Sequence, residues 1–173
     1  MNLDTMQTDL ALYLEGGAEI VIPYEASVGI SQSLSPISEG AEMRRGVNGQ
    51  LIVVASPLFR KYETEVSCRD MSAPTLGDVW IGQLVTIRCV ATLSQRIAAG
   101  AATLARDPVS GSVVCYNAAG DEVAHTCTGR SITAAGAARV VYRPILSCAV
   151  TAFSIDEDEI SGDVSWSISA TEV

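Results

Sequence analysis

Val164-Ser165-Trp166-Ser167-Ile168-Ser169-Ala170-Thr171 places every apolar residue on one side of an extended chain and only hydroxyls on the other. Successive side chains of a strand point to opposite faces, so this period of two predicts a half-buried strand whose Val164, Trp166 and Ile168 face seals a core. A face of serine and threonine without charge suits contact with another polypeptide as well as with water. Ser165 and Ser167 are therefore candidate contacts with a neighbouring subunit, beside a charged turn at Asp156-Glu157-Asp158-Glu159.

The same period recurs outward from this run. Tyr62, Thr64, Val66 and Cys68 alternate with Glu63, Glu65 and Ser67 in a strand expected over Phe59 to Arg69. Val85, Ile87, Cys89, Ala91 and Leu93 share one side of a strand expected over Leu84 to Leu93, with Trp80 at the rim of the core. A long strand is expected over Arg139 to Phe153. Asn48-Gly49 predicts a two-residue type I′ hairpin joining Glu42–Val47 to Gln50–Ala55, because both residues accept positive φ.

Leu51-Ile52-Val53-Val54-Ala55 lacks polar alternation. It reads either as a central strand buried on both faces or as one covered by a neighbouring subunit. Arg44-Arg45, next to it, would clamp a carboxylate of a partner or face solvent. Arg44, Arg45, Leu51, Val53, Ser165 and Ser167 form the candidate assembly interface.

The N-terminal third contributes weaker signals. Leu3, Met6, Leu10 and Leu14 stand at near-helical spacing before Gly16-Gly17, predicting a short N-terminal helix stopped by glycine. Ile20 to Tyr24 then turns to β texture, with Pro23 marking an edge strand or its end. Two similar stretches, Ile97-Ala-Ala-Gly-Ala-Ala and Ile132-Thr-Ala-Ala-Gly-Ala-Ala, bracket a hairpin of Ser112–Tyr116 and Glu122–Thr126. Residues 94–138 are expected as an inserted or projecting arm on a single β domain, 1–173. The absence of a βαβ rhythm favours an all-β fold, an antiparallel β-sandwich or barrel-like sheet of eight to ten strands.

Composition narrows the function. With 48 % apolar residues and 18 % charged in 173 residues, the chain supports one domain with a substantial core. No run approaches a membrane span and Met1-Asn-Leu-Asp-Thr lacks a signal peptide's pattern, so neither a membrane nor export is expected. The net charge of -9 is segregated, with acidic termini around a neutral to basic middle. That balance repels a phosphate backbone and disfavours nucleic acid as a ligand. Ten of the eleven basic residues are arginine, the cation suited to forked interface pairs. Five cysteines, an odd number, are expected to be buried free thiols used in packing.

Catalytic and metal chemistry find little support. His125 is the only histidine, and no Gly-x-Ser-x-Gly elbow or phosphate loop occurs. Cys115, His125 and Cys127 supply three soft ligands where structural zinc takes four, so packing or exposed thiols is the preferred reading. Asp156 to Glu159 departs from the EF-hand pattern at Ile160 and is read as a solvated turn. No enzyme activity and no cofactor are expected.

Over most of its length the chain resembles virion structural proteins of tailed bacteriophages, a tail tube or baseplate component. The likeness rests on Tyr142-Arg-Pro-Ile-Leu146, Val150-Thr-Ala-Phe153, Val164-Ser-Trp-Ser-Ile168, Pro57-Leu-Phe-Arg-Lys-Tyr62 and Trp80-Ile-Gly-Gln-Leu-Val85. It implies a β-sandwich subunit of a phage tail, made in the host cytoplasm, repeating in trimeric or hexameric rings and contacting other tail proteins. It also implies an acidic wall towards conducted DNA, and it carries over no catalytic residue. The alternatives are a carbohydrate- or receptor-binding sandwich stacking a ligand on Trp80 or Tyr116, and a hydrolase bringing His125 to a carboxylate or thiol.

Overall fold

The computed structural model describes residues 8–38 and 41–173. Fifteen strand segments form among them, more than the eight to ten expected, because several runs break into pieces of two to four residues. The first eight are β1 (Ala11–Leu14), β2 (Ser31–Pro36), β3 (Ala41–Arg45), β4 (Leu51–Ala55), β5 (Tyr62–Asp70), β6 (Leu84–Arg88), β7 (Leu93–Arg96) and β8 (Ala101–Thr103). β9 (Val114–Tyr116), β10 (Glu122–Val123), β11 (Thr126–Thr128), β12 (Ser131–Thr133), β13 (Arg139–Tyr142), β14 (Ile145–Glu157) and β15 (Val164–Glu172) follow. The fold is all-β with antiparallel, sandwich-like sheets and no closed barrel. No helix among the described residues is long and apolar enough to cross a membrane.

The C-terminal run lies at the centre of the main sheet, ordered β1-β6-β14-β15-β5-β2. Its alternation is realised as read: Val164, Trp166, Ile168 and Ala170 are buried, while Ser165, Ser167 and Ser169 are half-buried on the opposite face. β5 pairs with it in register, Cys68 opposite Trp166 and Val66 opposite Ile168, so the apolar faces of both strands coincide. On β14 the inward positions are Leu146, Cys148 and Val150, and then Phe153 and Ile155, three residues rather than two separating Val150 from Phe153. A β-bulge between Val150 and Ala152 absorbs the extra residue and keeps the apolar side chains on one face.

Irregular chain covers that face. Ile20, Ile22 and Ala26 from one segment, and Leu76 and Val79 from another, join the same buried cluster. The Trp166 Nε1–H donates to the Ala26 carbonyl at 3.1 Å, fastening cover to sheet. The edge strand expected at Ile20–Tyr24 is therefore this cover, held by one bridge from Glu19 to Tyr13 and ending in a 3-10 turn at Tyr24–Ala26.

The predicted N-terminal helix is corrected. Residues 1–7 lie outside the described residues, and Ala11–Leu14 is a strand paired with β6, with Leu10 and Leu12 buried. Period-two burial of Leu10 and Leu12 against a sheet edge outweighs the helical spacing of Leu10 and Leu14.

The strand expected over Leu84 to Leu93 also breaks. Val90 and Ala91 donate their N–H groups to the Gln32 side-chain oxygen at 2.7 and 3.0 Å instead of to a neighbouring strand. There the chain leaves the main sheet and β7 starts a second lobe. That lobe contains a four-stranded sheet, β10-β9-β13-β7, and a three-stranded sheet, β11-β12-β8. Ile97, Leu104, Cys115, Ile132, Val140 and Tyr142 form its separate core.

Residues 94–138 thus hold most of a lobe, a larger structure than a hairpin arm. The two Ala/Gly-rich stretches meet inside it: Ala101 pairs with Thr133, and the Ala134 N–H donates to the Gly100 carbonyl at 2.8 Å. Their shared pattern reflects two packed turns, each with its isoleucine in the same core.

Four of the five cysteines are buried and Cys127 is exposed; all are free thiols. Burial pushes the Cys89 thiol up to about 11 and the Cys148 thiol up to about 12. The ordinary value of 9.0 applies to the unfolded chain, so above that pH the unfolded state releases protons that the folded state retains. Stability contributed by these groups is full below pH 9.0 and is lost as pH rises through about 11 to 12. Thermal melts should therefore fall steeply over that alkaline range, with a flatter decline when Cys89 and Cys148 are both alanine. An unchanged slope in the double variant would show that other groups control alkaline unfolding.

Candidate assembly surfaces

β3 and β4 form a two-stranded sheet of their own, separate from the other sheets. The turn differs from the predicted type I′. Gly49 N–H donates to the Gly46 carbonyl at 2.8 Å, and Gly49 has φ +79° while Asn48 keeps a negative φ. This is a type I turn followed by a left-handed glycine, the usual three-residue hairpin. Asn48 contributes its side chain instead, accepting the Gln50 N–H at 3.3 Å.

The register pairs Arg45 with Leu51 and Met43 with Val53, and on the other face Arg44 with Ile52 and Glu42 with Val54. Leu51, Ile52, Val53 and Val54 are between 50 % and 60 % exposed. A central strand buried on both faces is thereby excluded. Arg44 and Arg45, adjacent in sequence, stand on opposite faces. Arg44 pairs with Glu42 of its own strand at 2.6 Å, an exposed contact worth little. Arg45 reaches only the Gly49 carbonyl, at 3.3 Å, and makes no ion pair among the described residues.

Ser165 and Ser167 lie far along a different surface, the outer face of the main sheet. Ser31, Ser67, Ser167 and Ser154 form one row across four strands, with Ser154 and Ser167 hydroxyls 2.9 Å apart. The adjacent rows are Ser33, Glu65, Ser169 and Ser35, Glu63, Thr171. On the other side Ser165 sits between Arg69 and Asp156. Two shallow clefts, of about 250 and 310 Å³, open on this face. Small hydroxyls leave the sheet flat, and Glu63, Glu65 and Asp156 make it acidic.

A third surface was not anticipated. Trp80, expected at the rim of the core, is 72 % exposed and makes an edge-on contact with Phe153, their ring centroids 6.3 Å apart. Its turn is fixed to the bulge of β14: Gly82 N–H donates to the Val150 carbonyl at 2.8 Å and Val150 N–H to the Gln83 carbonyl at 2.9 Å. β6 pairs with β14 only from Ile145 to Ala149, so beyond the bulge β14 has β15 on one side and, among the described residues, a free edge on the other. Phe153, Ile155 and Glu157 follow one another on the core-side face there, with Ile155 46 % exposed. The sequence signal was available: the alternation of Phe153 and Ile155 carries the strand on into residues that read as a charged turn.

The catalytic and metal candidates gather in one region of the second lobe without forming a bonded site. Cys115 is buried in the second core, while His125 and exposed Cys127 line a cleft of about 410 Å³ that Asp107 also borders. The Cys127 thiol contacts the Gly129 carbonyl at 3.4 Å, and no hydrogen bond joins it to His125 or Asp107 among the described residues. Among the described residues, no group of three His, Cys, Asp or Glu side chains is placed to hold a metal ion. No family model, curated protein or solved structure matches the chain.

Proposed function

We propose that the protein is a structural subunit of a tailed-phage virion, a tail tube, tail adaptor or baseplate component that self-assembles into rings and contacts other tail proteins. The observation that carries this reading is the β3–β4 hairpin. A lone two-stranded hairpin is marginal in water, and this one displays apolar side chains on both faces. Covering the exposed half of Leu51, Ile52, Val53 and Val54 offers about 3–6 kcal/mol to a partner. An assembled particle supplies such a cover in every copy.

The flat, acidic hydroxyl face supports the same reading. Glu63, Glu65 and Asp156 would repel DNA phosphates, as the wall of a conducting channel must. The phage assignment itself draws on the resemblance at Pro57–Tyr62, Trp80–Val85, Tyr142–Phe153 and Val164–Ile168. For a carbohydrate- or receptor-binding module the favourable observation is exposed Trp80. Tyr116, the other aromatic proposed for stacking, lies in the second lobe with the Arg139 guanidinium 4.9 Å from its ring centroid.

Mass measurement in solution, with negative-stain imaging of the same sample, tests the reading. Ring-sized particles of uniform diameter are expected. A strict monomer at the highest attainable concentration would overturn it.

A further inference from the structure

The hairpin and the Trp80 surface are complementary, and we infer that they bind each other between copies of this chain. This rests on the self-assembly reading and names its contact. One face of the hairpin presents Met43, Leu51 and Val53, closed off by Arg45. The other surface presents Trp80, Phe153 and Ile155, closed off by Glu157. Each is an apolar strip ending in one charge, and the charges are opposite.

Local electrostatics select the same pairing. Arg44 already faces Glu42 on the second hairpin face, whereas Arg45 has only a carbonyl among the described residues. Glu157 ends the β14 strip, and Asp158 and Glu159 follow it directly beyond the strand. The nearby Arg69 is engaged with Asp163 at 2.8 Å. An arginine arriving from a second copy relieves this acidic cluster as the apolar strips close.

Symmetry gives the contact its consequence. The two surfaces are different patches of one chain, so each copy uses its hairpin on one neighbour and its Trp80 strip on another. Such head-to-tail contacts close into rings or run on as filaments. The edge of β14 beyond Val150, unpaired among the described residues, adds main-chain groups at the same place.

Charge exchange tests the pairing by sedimentation of the full chain. Arg45→Glu and Glu157→Arg, each alone, should weaken assembly about tenfold or more, equivalent to about 1.4 kcal/mol. Arg45→Glu with Glu157→Arg in one chain should restore it. Iodide quenching supplies a second readout, because Trp80 is exposed and Trp166 is buried. Quenching should be strong in dilute monomer, weak in the assembly, and weak in both for Trp80→Phe.

If the wild type assembles and the single reversals assemble equally well, or the double reversal is no better than either, the pairing is wrong while self-assembly stands. Retention of Trp80 quenching in the assembly likewise overturns it. A monomeric wild type overturns the self-assembly reading and the pairing with it.

Discussion

Trp166→Ala is expected to destabilise the protein by about 3–5 kcal/mol, the range for removing a fully buried large aromatic. Trp166 is 1 % exposed at the centre of the main sheet, between Cys68 of β5 and Ile155 of β14. Its removal leaves a cavity under the irregular cover and strips the Ala26 carbonyl of its indole donor. A domain of this kind has total stability on the order of 5–15 kcal/mol, so the variant should be unfolded or nearly so on warming.

Trp166→Phe separates the two contributions. It retains most of the packing and loses the hydrogen bond, which on its own is worth about 1 kcal/mol. Urea denaturation checks both variants: the midpoint should shift with the slope unchanged. A loss below about 1.5 kcal/mol for Trp166→Ala would mean that the cover collapses into the space, contrary to a rigid loop-on-sheet core.

Glu172→Ala is the second large effect, expected at about 3 kcal/mol because it strands a half-buried cation. Arg106, from the second lobe, grips the Glu172 carboxylate with two nitrogens, Nε on Oε1 and a terminal nitrogen on Oε2 at 2.9 Å. The same Oε2 accepts the Tyr62 N–H at 2.9 Å, and Arg106 also donates to the Arg60 carbonyl at 2.7 Å. Side-chain exposures of 22 % and 10 % place the pair away from bulk water. Its hydrogen bond to Glu172 raises the Arg106 pKa above the ordinary arginine value.

This cluster joins the last residues of β15, the start of β5 and the Ala105–Arg106 loop of the second lobe. Arg106→Met should be costly too, since it leaves the carboxylate with one backbone partner. Replacing both by methionine should cost much less than either single change, because an apolar pair has no stranded charge. A double-mutant cycle in urea measures the coupling. If the single losses simply add, the pair is a surface contact that does not couple the lobes.

How far the fold was legible follows from where burial is decided. On β5 and β15 the alternation of Val66 and Cys68 with Glu65 and Ser67, and of Trp166 and Ile168 with serines, gave strand and face together. The hairpin at Asn48-Gly49 was found but its turn was not, because asparagine caps the turn with its side chain while glycine alone takes positive φ. Leu10 and Leu14 misled, since two leucines four residues apart fit a helix until Leu12 is seen buried between them.

The candidate interface divides in the same way. Arg45, Leu51 and Val53 do share a face, Arg44 does not, and Ser165 and Ser167 belong to another surface altogether. Trp80 and Phe153 are more than seventy positions apart, so no local pattern could associate them.

By itself, the sequence determined the all-β class, the face on which the amphipathic strands β5 and β15 bury their side chains, and the absence of the common catalytic and nucleotide-binding motifs. Only the tertiary structure decided that Leu51–Val54 stands exposed, that residues 93–142 hold a second core, and that an aromatic strip lies beside a free strand edge. The physical reason is that side-chain direction is set by the local backbone, two residues at a time. Whether a face meets core, solvent or another copy depends on which distant strands reach it.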